Sequence, residues 1–130
     1  MGDRVANRLG ARGEDLAVAE LQRQGMTVLA RNWRCRTGEI DIVARETVDG
    51  RSTIVFCEVK CRSGIGFGDP LEAITYAKLR KLRQLAAEWL AENAEPFGSP
   101  GVRPVRLDAI GVLLVRGSAP VIRHLRGIGG

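Results

Sequence analysis

Apolar and polar residues alternate along the chain over residues 38–62, with one interruption at Val48-Asp49-Gly50-Arg51. A period of two is typical of half-buried β-strands. Asp-Gly between two such runs is typical of a two-residue type I′ hairpin loop, in which both central residues need positive φ. With Asp49 and Gly50 in the loop, Val48 faces Arg51. The pattern therefore predicts two long antiparallel strands whose register is set by the loop.

The register of this hairpin decides which side chains share a face. Counting outward from the loop predicts three pairs on a polar face, Asp41/Glu58, Glu39/Lys60 and Val43/Phe56, and three pairs on an apolar face, Ile40/Val59, Ile42/Cys57 and Ala44/Val55. Residues directly opposite have Cβ atoms roughly 4.5–5.5 Å apart, and like charges so placed destabilise a sheet. Asp41 and Glu58 are therefore an unfavourable pair unless a proton or a cation lies between them.

Two interpretations of the polar face follow from the residues alone. In the first, a divalent cation such as Mg²⁺ relieves the repulsion between Asp41 and Glu58, and Lys60 orients a nucleophilic water or stabilises developing charge. Phe56 then belongs to a half-buried floor beneath the charges. In the second, the face is solvated, Lys60 forms a salt bridge with Glu39, and none of these side chains is catalytic.

A helix and a strand are predicted before the hairpin. Helical spacing of apolar residues predicts a helix over residues 4–24, closed by Gly25. Glu14 lies on the inward stripe of this helix, where it either pairs with an arginine at the edge of the core or points to the site. A strand over residues 26–36 follows, with Val28 and Ala30 on one face.

A glycine-rich segment, Ser63–Gly68, follows the hairpin, and we expect it to be a mobile loop beside the site. Asp69, Pro70 and Glu72 then supply an N-cap residue, a proline at the first helical position and an acid at the third. Together these three signals predict a helix that runs to about Asn93.

The last third of the chain predicts two more strands. A loop over residues 95–101 leads into a strand over 102–116, and a short strand over 119–125 follows. Asp108 on the first strand either supports the site or pairs with Arg106, and we expect it to support the fold. His124 on the second strand is the only histidine in the sequence, and such a residue is more often structural or solvated than catalytic. The complete order predicts an α/β fold with a mixed central β-sheet flanked by helices, in a chain of a length typical of one domain.

The charge of the chain indicates a polyanionic partner, because the net charge is +5 and the sequence pI is about 9.7. Arg31, Trp33 and Arg34 interleave an aromatic ring with cations, which is typical of nucleic-acid surfaces, although Trp33 taken alone is more typical of a core residue. Lys78 and Lys81 belong to a basic stretch that either contacts phosphates or extends into solvent.

The cysteine content indicates a reducing compartment, and the hydropathy indicates that no segment crosses a membrane. The chain has three cysteines without disulfide-scaffold spacing, no apolar run that could cross a membrane and no signal-peptide core. We therefore expect a cytoplasmic protein with no membrane partner. Cys57 and Cys61 share a strand face but lie about 13 Å apart along it, too far to hold one zinc ion together. We expect all three thiols to be buried or half-buried.

Several motifs together resemble a known group of nucleases. An acid in an N-terminal helix, Asp41 on one strand and Glu58-Val59-Lys60 on the next resemble the PD-(D/E)xK nuclease superfamily. A wider set of motifs is similar to the YraN-like family, which is grouped with Holliday-junction-resolvase-like endonucleases: Gly13–Ala17, Arg31–Arg34, Gly38–Ala44, Glu58–Arg62, Glu72–Ile74, Lys78 and Arg106–Asp108. The resemblance covers nearly the whole chain. It implies a restriction-endonuclease-like (resolvase-like) core and a single endonuclease-like domain over residues 1–130.

Carried onto this sequence, the resemblance implies a metal-dependent catalytic site. Asp41 and Glu58 would ligate Mg²⁺ or Mn²⁺, with the Val59 carbonyl as a further ligand. Lys60 would position or activate water, and Glu14 would complete the acidic cluster from the helix. The implied chemistry is phosphodiester hydrolysis. We expect nucleic-acid contacts from five cations and one aromatic residue: Arg31, Trp33, Arg34, Arg62, Lys78 and Lys81.

The leading hypothesis is therefore a metal-dependent endonuclease acting on DNA, including branched DNA, whose two-fold symmetry would call for a homodimer. The alternative is a nucleic-acid-binding module with an inactive or partner-dependent nuclease site, since a basic surface and an acidic cluster suit both functions. A third hypothesis is a nuclease that acts on RNA, although DNA is favoured over RNA.

Overall fold

A five-stranded mixed β-sheet with a helix on each face organises this protein. The computed structural model describes residues 2–63, 70–93 and 104–128. Its helices and strands follow in the order α1 (Gly2–Arg23), β1 (Thr27–Cys35), β2 (Gly38–Val48), β3 (Arg51–Ser63), α2 (Tyr76–Glu92), β4 (Val105–Leu114) and β5 (Val121–Leu125). The chain is therefore an α/β protein, as the order of its sequence patterns predicts.

The strands lie in the order β1-β2-β3-β4-β5 across the sheet. β3 and β4 are parallel, whereas the other neighbouring pairs are antiparallel. A parallel pair needs a crossover connection, and α2 lies within it. The two helices pack on opposite faces of the sheet, because α1 and α2 contribute to separate buried clusters.

Each helix closes one hydrophobic core against the sheet. On the α1 face the buried residues are Ala17, Leu21, Met26, Ile42, Ala44, Val55, Cys57, Ile110, Val112 and Leu114. On the α2 face they are Ile40, Val43, Ile54, Phe56, Leu82, Leu85, Ala86, Trp89, Leu90 and Leu107. Phe56 and Trp89 meet edge to face, with ring centroids 5.7 Å apart. Successive residues of β3 thus alternate between the two cores, as the pleat requires.

The predicted β2–β3 hairpin and its register are confirmed. The loop dipeptide Asp49-Gly50 adopts positive φ angles of 51° and 78°. The paired rungs run from Val48/Arg51 to Ile42/Cys57, in the register that the loop predicts. The ladder ends there, one rung before the predicted acidic pair. The two strands therefore stop pairing at the position where the sequence concentrates its carboxylates.

β1 and β2 both interrupt their alternation at this end of the sheet. In β2, Ile40 and Val43 both pack on the α2 face, although a spacing of three residues should place them on opposite faces. In β1, Ala30 and Trp33 are also three residues apart and also both pack on the α2 face. Asn32, which lies between them, has a φ of 51°. Because these residues pair across the two strands, the irregularities match. The prediction that placed Ile40 on the other face is therefore wrong.

The matched irregularities direct two successive residues of each strand to the α1 side. Arg31 and Asn32 both donate hydrogen bonds to Glu14 of α1. Ile42 is buried in the α1-side core, and Asp41 lines a cleft together with Glu14. Asp41 therefore does not lie on the face of the α2-side core, where simple alternation placed it, and the predicted half-buried floor beneath the charges is instead a fully buried core.

β1 carries a further irregularity near its start. A register shift against β2 falls between Val28 and Ala30, so that Val28 packs on the α1 side and Ala30 on the α2 side. The prediction that placed both on one face is wrong, because a β-bulge adds one residue and reverses the faces beyond it. Gly25, with a φ of 89°, follows α1 as predicted.

α2 begins later than the sequence predicts. The Pro70–Ala73 segment is a separate 3₁₀ turn, and the helix starts at Tyr76. Thr75 is its N-cap residue, and the Thr75 hydroxyl accepts a hydrogen bond from the Lys78 N–H at 3.2 Å. The helix therefore begins at the Thr75 cap, and the predicted start at Pro70 is wrong. Asp69 itself, the glycine-rich loop and the loop over 95–101 lie outside the described residues.

Two expectations drawn from composition can be compared with the structure. Cys57 is a buried free thiol, and Cys35 and Cys61 are half-buried free thiols, as expected. None of the helices within the described ranges is long and apolar enough to span a membrane.

Candidate functional site

An open cleft of about 740 Å³ lies where α1 meets the ends of β2 and β3 beyond their last paired rung. Its polar lining includes Glu14, Asn32, Glu39, Asp41, Lys60 and Arg62. Three of the four predicted catalytic residues therefore line one cleft, and Val59 lines it too. The fourth, Glu58, adjoins the cleft through its ion pair with Lys60.

At the end of the β2–β3 ladder, the Asp41 side chain accepts a hydrogen bond that a backbone carbonyl would normally accept. Its Oδ2 accepts a hydrogen bond from the Val59 N–H at 2.8 Å. In the hairpin register, this N–H would otherwise donate to the carbonyl of Ile40 in the next hydrogen-bonded rung. The Asp41 carboxylate therefore lies between the two strands. None of the described residues donates a hydrogen bond to its other oxygen, Oδ1.

The pKa of Asp41 is raised to about 7. Burial is the largest cause, because it disfavours the charged form, and the charge of Glu58 comes next. Glu39 and Glu14 raise the pKa further, and the hydrogen bond from Val59 acts in the opposite direction. A carboxyl group so placed relieves the local negative potential by binding a proton or a cation, and such groups are concentrated at functional sites.

Two lysines lie beside the acids. The Lys60 ammonium is 3.4 Å from Glu58 Oε1, whereas Glu39 pairs with Arg34 at 2.9 Å. The second interpretation of the polar face is therefore wrong in predicting a salt bridge between Lys60 and Glu39. A hydrogen bond with Lys60 lowers the pKa of Lys78 on α2, and partial burial lowers it further. Two amines, one from β3 and one from α2, thus meet next to Glu58, where an anion would relieve their repulsion.

Glu14 combines the two roles that the sequence left open. The residue is buried, with 8% of its surface exposed. Its Oε1 accepts hydrogen bonds from Arg31 Nε at 3.0 Å and from Asn32 Nδ2 at 2.9 Å. Arg31 also pairs with the exposed Asp15, at 2.6 Å. Glu14 is therefore paired with an arginine and also lines the cleft, and both of its hydrogen bonds from described residues end on the same oxygen.

Gly13 allows α1 to approach β3 closely enough to bring Glu14 to the cleft. A Cβ at this position would lie 2.6 Å from both the Cβ and the Sγ of Cys61. Side chains do not approach each other so closely, so only glycine fits where the helix crosses the strand. Because Glu14 is the next residue, this contact sets the distance between its carboxylate and the strand ends.

Gly13→Ala is expected to lower the free energy of unfolding by about 1–3 kcal/mol, since the clash with Cys61 forces α1 away from β3. Gly10→Ala on the same helix is the matched control, because nothing lies within 4 Å of a Cβ at that position. Alanine there should stabilise the protein by about 0.5–1 kcal/mol. Urea unfolding at neutral pH measures both changes. Equal effects of the two substitutions would contradict the close packing of α1 on β3.

The other predicted nucleic-acid contacts differ in their surroundings. Arg34 and Arg62 line the cleft, and Arg62 also donates a hydrogen bond to the Cys61 carbonyl. Lys81 is exposed on α2. Trp33 packs against the α2-side core, which is the structural role typical of a single tryptophan. The exposed arginines and lysines are therefore better placed than Trp33 to meet a ligand.

Asn32 is a site residue that the sequence analysis missed. Its φ of 51° lies in the left-handed region, which asparagine tolerates better than most residues. This conformation lets its side chain donate to Glu14 at 2.9 Å. Asparagine is depleted in strands, so its presence within a predicted strand was a signal that could have found it.

The oxygen donors of the site suit a hard divalent cation. Asp41, Glu58 and the Val59 carbonyl supply oxygen atoms, and Mg²⁺ in proteins is usually held by one or two carboxylates with water completing the shell. Within the described ranges, no group of three or more His, Cys, Asp or Glu side chains is placed to hold an ion. The site therefore fits the ligand type that the resemblance implies, with two carboxylates rather than a closed cage.

Comparison with known proteins identifies relatives along nearly the whole chain. The profile of a family described as "Uncharacterised protein family UPF0102" matches residues 13–112, a range that contains the four predicted catalytic residues. A UPF0102 protein of Acidothermus cellulolyticus is 51% identical over 124 residues, covering 92% of this chain and 91% of that protein. The UPF0102 protein of Nocardia farcinica is 45% identical over 128 residues, covering 98% of this chain and 92% of that protein. The UPF0102 protein of Beutenbergia cavernae is 48% identical over 126 residues, covering 97% of this chain and 99% of that protein. The chain therefore belongs to the uncharacterised protein family UPF0102, the YraN-like family that its motifs resemble.

Proposed function

We propose that this protein is a metal-dependent endonuclease that hydrolyses phosphodiester bonds in DNA, on a resolvase-like core of the restriction-endonuclease type. The observation that carries the proposal is the position of Asp41. Its carboxyl group lies between β2 and β3, partly buried, with a pKa raised to about 7 by burial and by three other acids. Such a group costs stability in the absence of a cation, because burial and the neighbouring acids disfavour its charged form.

The roles of the individual residues follow from their positions. Asp41 and Glu58, with the Val59 carbonyl, would hold Mg²⁺ or Mn²⁺. When bound, the cation polarises the phosphoryl group and lowers the pKa of water. Lys60, which lies 3.4 Å from Glu58, donates hydrogen bonds to the phosphate oxygens or orients the attacking water. Glu14, held by its hydrogen bonds on one oxygen, extends the acidic lining toward the helix.

DNA is the substrate that best matches the charges around the acids. Lys60 and Lys78 meet beside the cleft, and the charge of Arg62 adds to the positive potential at Lys78. Neutralising phosphates with such side chains releases counterions and supplies most of the sequence-independent affinity for nucleic acids. On a branched substrate with two-fold symmetry, two copies of the chain would each supply one cleft.

The direct test is cleavage of junction, flap and linear DNA by the purified protein with Mg²⁺ or Mn²⁺. Wild type is expected to cleave at least one of them, and Glu58→Gln should lower the rate by about 10² or more, because a cation contributes several kcal/mol to the transition state. Asp15→Asn is the matched control, since this acid is exposed, pairs with Arg31 and does not line the cleft. Cleavage that survives Glu58→Gln would rule out this site.

A second candidate function is a nucleic-acid-binding module with an inactive or partner-dependent site. It is favoured by one observation, that no cluster of three or more His, Cys, Asp or Glu side chains among the described residues is placed to hold an ion. This function predicts binding whose affinity falls steeply with salt, without cleavage of any DNA in either metal. Sedimentation of the protein with and without junction DNA would then show whether a partner copy is recruited.

A further inference from the structure

Asn32 has a backbone conformation that is unusual for the middle of a β-strand. Its φ is 51°, and Asp49, in the hairpin loop, is the other described non-glycine residue with a positive φ. β1 continues on both sides of Asn32, so no turn requires this conformation. Strained backbone of this kind persists where the surroundings hold it, and it is concentrated at functional sites. The conformation of Asn32 is therefore best explained by what its side chain does.

Asn32 adjoins two of the acids of the site. Its Nδ2 donates a hydrogen bond to Glu14 Oε1 at 2.9 Å. In the β1–β2 ladder, the residues on either side of Asn32 pair with the residues on either side of Asp41, so Asn32 stands across from Asp41. All three residues line the cleft. Asn32 thus connects the carboxylate of α1 to the strand position that carries the carboxylate of β2.

The hydrogen bonds to Glu14 all come to one of its two oxygens. Arg31 Nε, at 3.0 Å, and Asn32 Nδ2 both donate to Oε1. A carboxylate oxygen has two lone pairs, so these two bonds fill Oε1. Among the described residues no donor reaches Oε2, which leaves this oxygen to accept a ligand in the cleft that Glu14 lines. The two hydrogen bonds therefore determine which oxygen of Glu14 is offered to the cleft.

The two donors orient Glu14 without neutralising it. The Asn32 amide is uncharged, and Arg31 also forms an ion pair with Asp15 at 2.6 Å, so the charge of Arg31 is divided between two carboxylates. A second arginine in place of Asn32 would neutralise Glu14 and repel a cation at Asp41. An asparagine donor holds the carboxylate in place without either effect.

We infer that Asn32 is a positioning residue for Glu14. By holding Oε1, it directs Oε2 toward the cation site proposed at Asp41 and Glu58. This inference deepens the proposed function and rests on it. Groups that hydrogen-bond to the carboxylates around a metal ion fix their orientation, and loss of such a group typically lowers metal affinity about 10- to 100-fold. Asn32 binds neither the cation nor DNA in this role, so its effect passes entirely through Glu14.

Titration of the protein with Mn²⁺ alone, without DNA, tests the inference. Asn32→Gly removes the amide but adopts the positive φ without strain, so β1 should keep its fold. This variant should bind Mn²⁺ about 10- to 100-fold more weakly than wild type. Its DNA affinity in EDTA should stay within about two-fold, because the substitution changes no charge. Asp49→Gly is the matched control, since Asp49 has the same φ of 51° but lies in the hairpin loop, and it should bind Mn²⁺ as wild type does.

A double-mutant cycle separates positioning from other effects. Glu14→Gln alone should weaken Mn²⁺ binding by a similar factor, and adding Asn32→Gly to it should change the Mn²⁺ affinity by less than about two-fold. A further loss in the double variant as large as the loss in Asn32→Gly alone would mean that Asn32 does not act through Glu14, and it would overturn the inference. Mn²⁺ binding by Asn32→Gly as tight as that of wild type would also overturn it, whatever the change in the urea unfolding midpoint.

The same titration distinguishes this inference from the proposed function. Cleavage of DNA by wild type, together with wild-type Mn²⁺ affinity in Asn32→Gly, would leave the endonuclease standing and remove the positioning role. Weaker Mn²⁺ binding by Asn32→Gly, without cleavage of any DNA by wild type, would keep the positioning role within a binding module. Absence of Mn²⁺ binding by wild type would overturn both.

Discussion

Asp41→Asn is expected to abolish DNA cleavage and at the same time to make the protein more stable above neutral pH. Asparagine keeps an oxygen that can accept a hydrogen bond from the Val59 N–H, as the Asp41 carboxylate does at 2.8 Å. It removes the charge that burial and the neighbouring Glu58 disfavour most. Cleavage should fall by at least about 10²-fold, since the cation loses one of its two carboxylates.

The stability effect has a defined direction with pH. The pKa of Asp41 in the folded protein, about 7, lies above its ordinary value of 3.8. The folded state therefore binds this proton more tightly than the unfolded chain, and it loses stability as pH rises from about 4 to about 7. Three units of pKa correspond to about 4 kcal/mol. The advantage of Asp41→Asn should thus be near zero at about pH 4 and approach about 4 kcal/mol at about pH 8.

Urea unfolding in EDTA at both pH values measures the difference, and a repeat with Mg²⁺ or Mn²⁺ measures the cation's contribution. Binding to the folded state alone raises its stability, so the cation should stabilise wild type at alkaline pH and leave Asp41→Asn unchanged. Asp15→Asn should behave as wild type in every arm. A less stable Asp41→Asn at alkaline pH, or one that still cleaves DNA, would make Asp41 a structural group.

Asp108→Ala is expected to be among the most destabilising single substitutions in this chain. Asp108 is fully buried on β4 and accepts two hydrogen bonds from Arg106, at 2.8 and 2.9 Å. It also contacts His124 Nε2 at 2.7 Å and accepts the Gly127 N–H at 3.1 Å. Removing one partner of a buried ion pair leaves an uncompensated charge and costs about 3–5 kcal/mol. Because the network ties β4 to β5 and to the residues after it, unfolding should begin there.

The pH dependence of this network is opposite in sign to that of Asp41. Burial alone would raise the pKa of Asp108, but hydrogen bonds from His124, Arg106 and Gly127 outweigh it and hold the pKa at about 2. The group therefore contributes stability above about pH 4, of about 2–3 kcal/mol, which is lost as pH falls toward 2. The deficit of Asp108→Ala should shrink over that range.

Urea unfolding of wild type and Asp108→Ala at neutral pH and near pH 3 measures this effect. Arg23→Ala is the control, because its ion pair with Glu20 is largely exposed. Pairs of that kind contribute about 0.2–1 kcal/mol. A cost for Asp108→Ala no larger than that of the control would mean that the buried network is not a source of stability.

The local geometry of the candidate site was predictable because it depends on residues close in sequence. Asp49-Gly50 determines the loop, the loop determines the register, and the register places Asp41 and Glu58 at neighbouring strand ends. The side of the sheet to which Asp41 turns was predicted wrongly. It depends on a matched break in β1 and β2, at Asn32 and beside Ile40, that no period-two pattern contains.

By itself the sequence determined the α/β order and the hairpin with its register as far as Ile42/Cys57, because turn chemistry and strand period act over a few residues. Only the tertiary structure decided that Glu14 shares a cleft with Asp41, and that Lys78 meets Lys60. Both contacts join elements far apart in the chain, so they depend on how α1 and α2 pack on opposite faces of the sheet and not on local propensity.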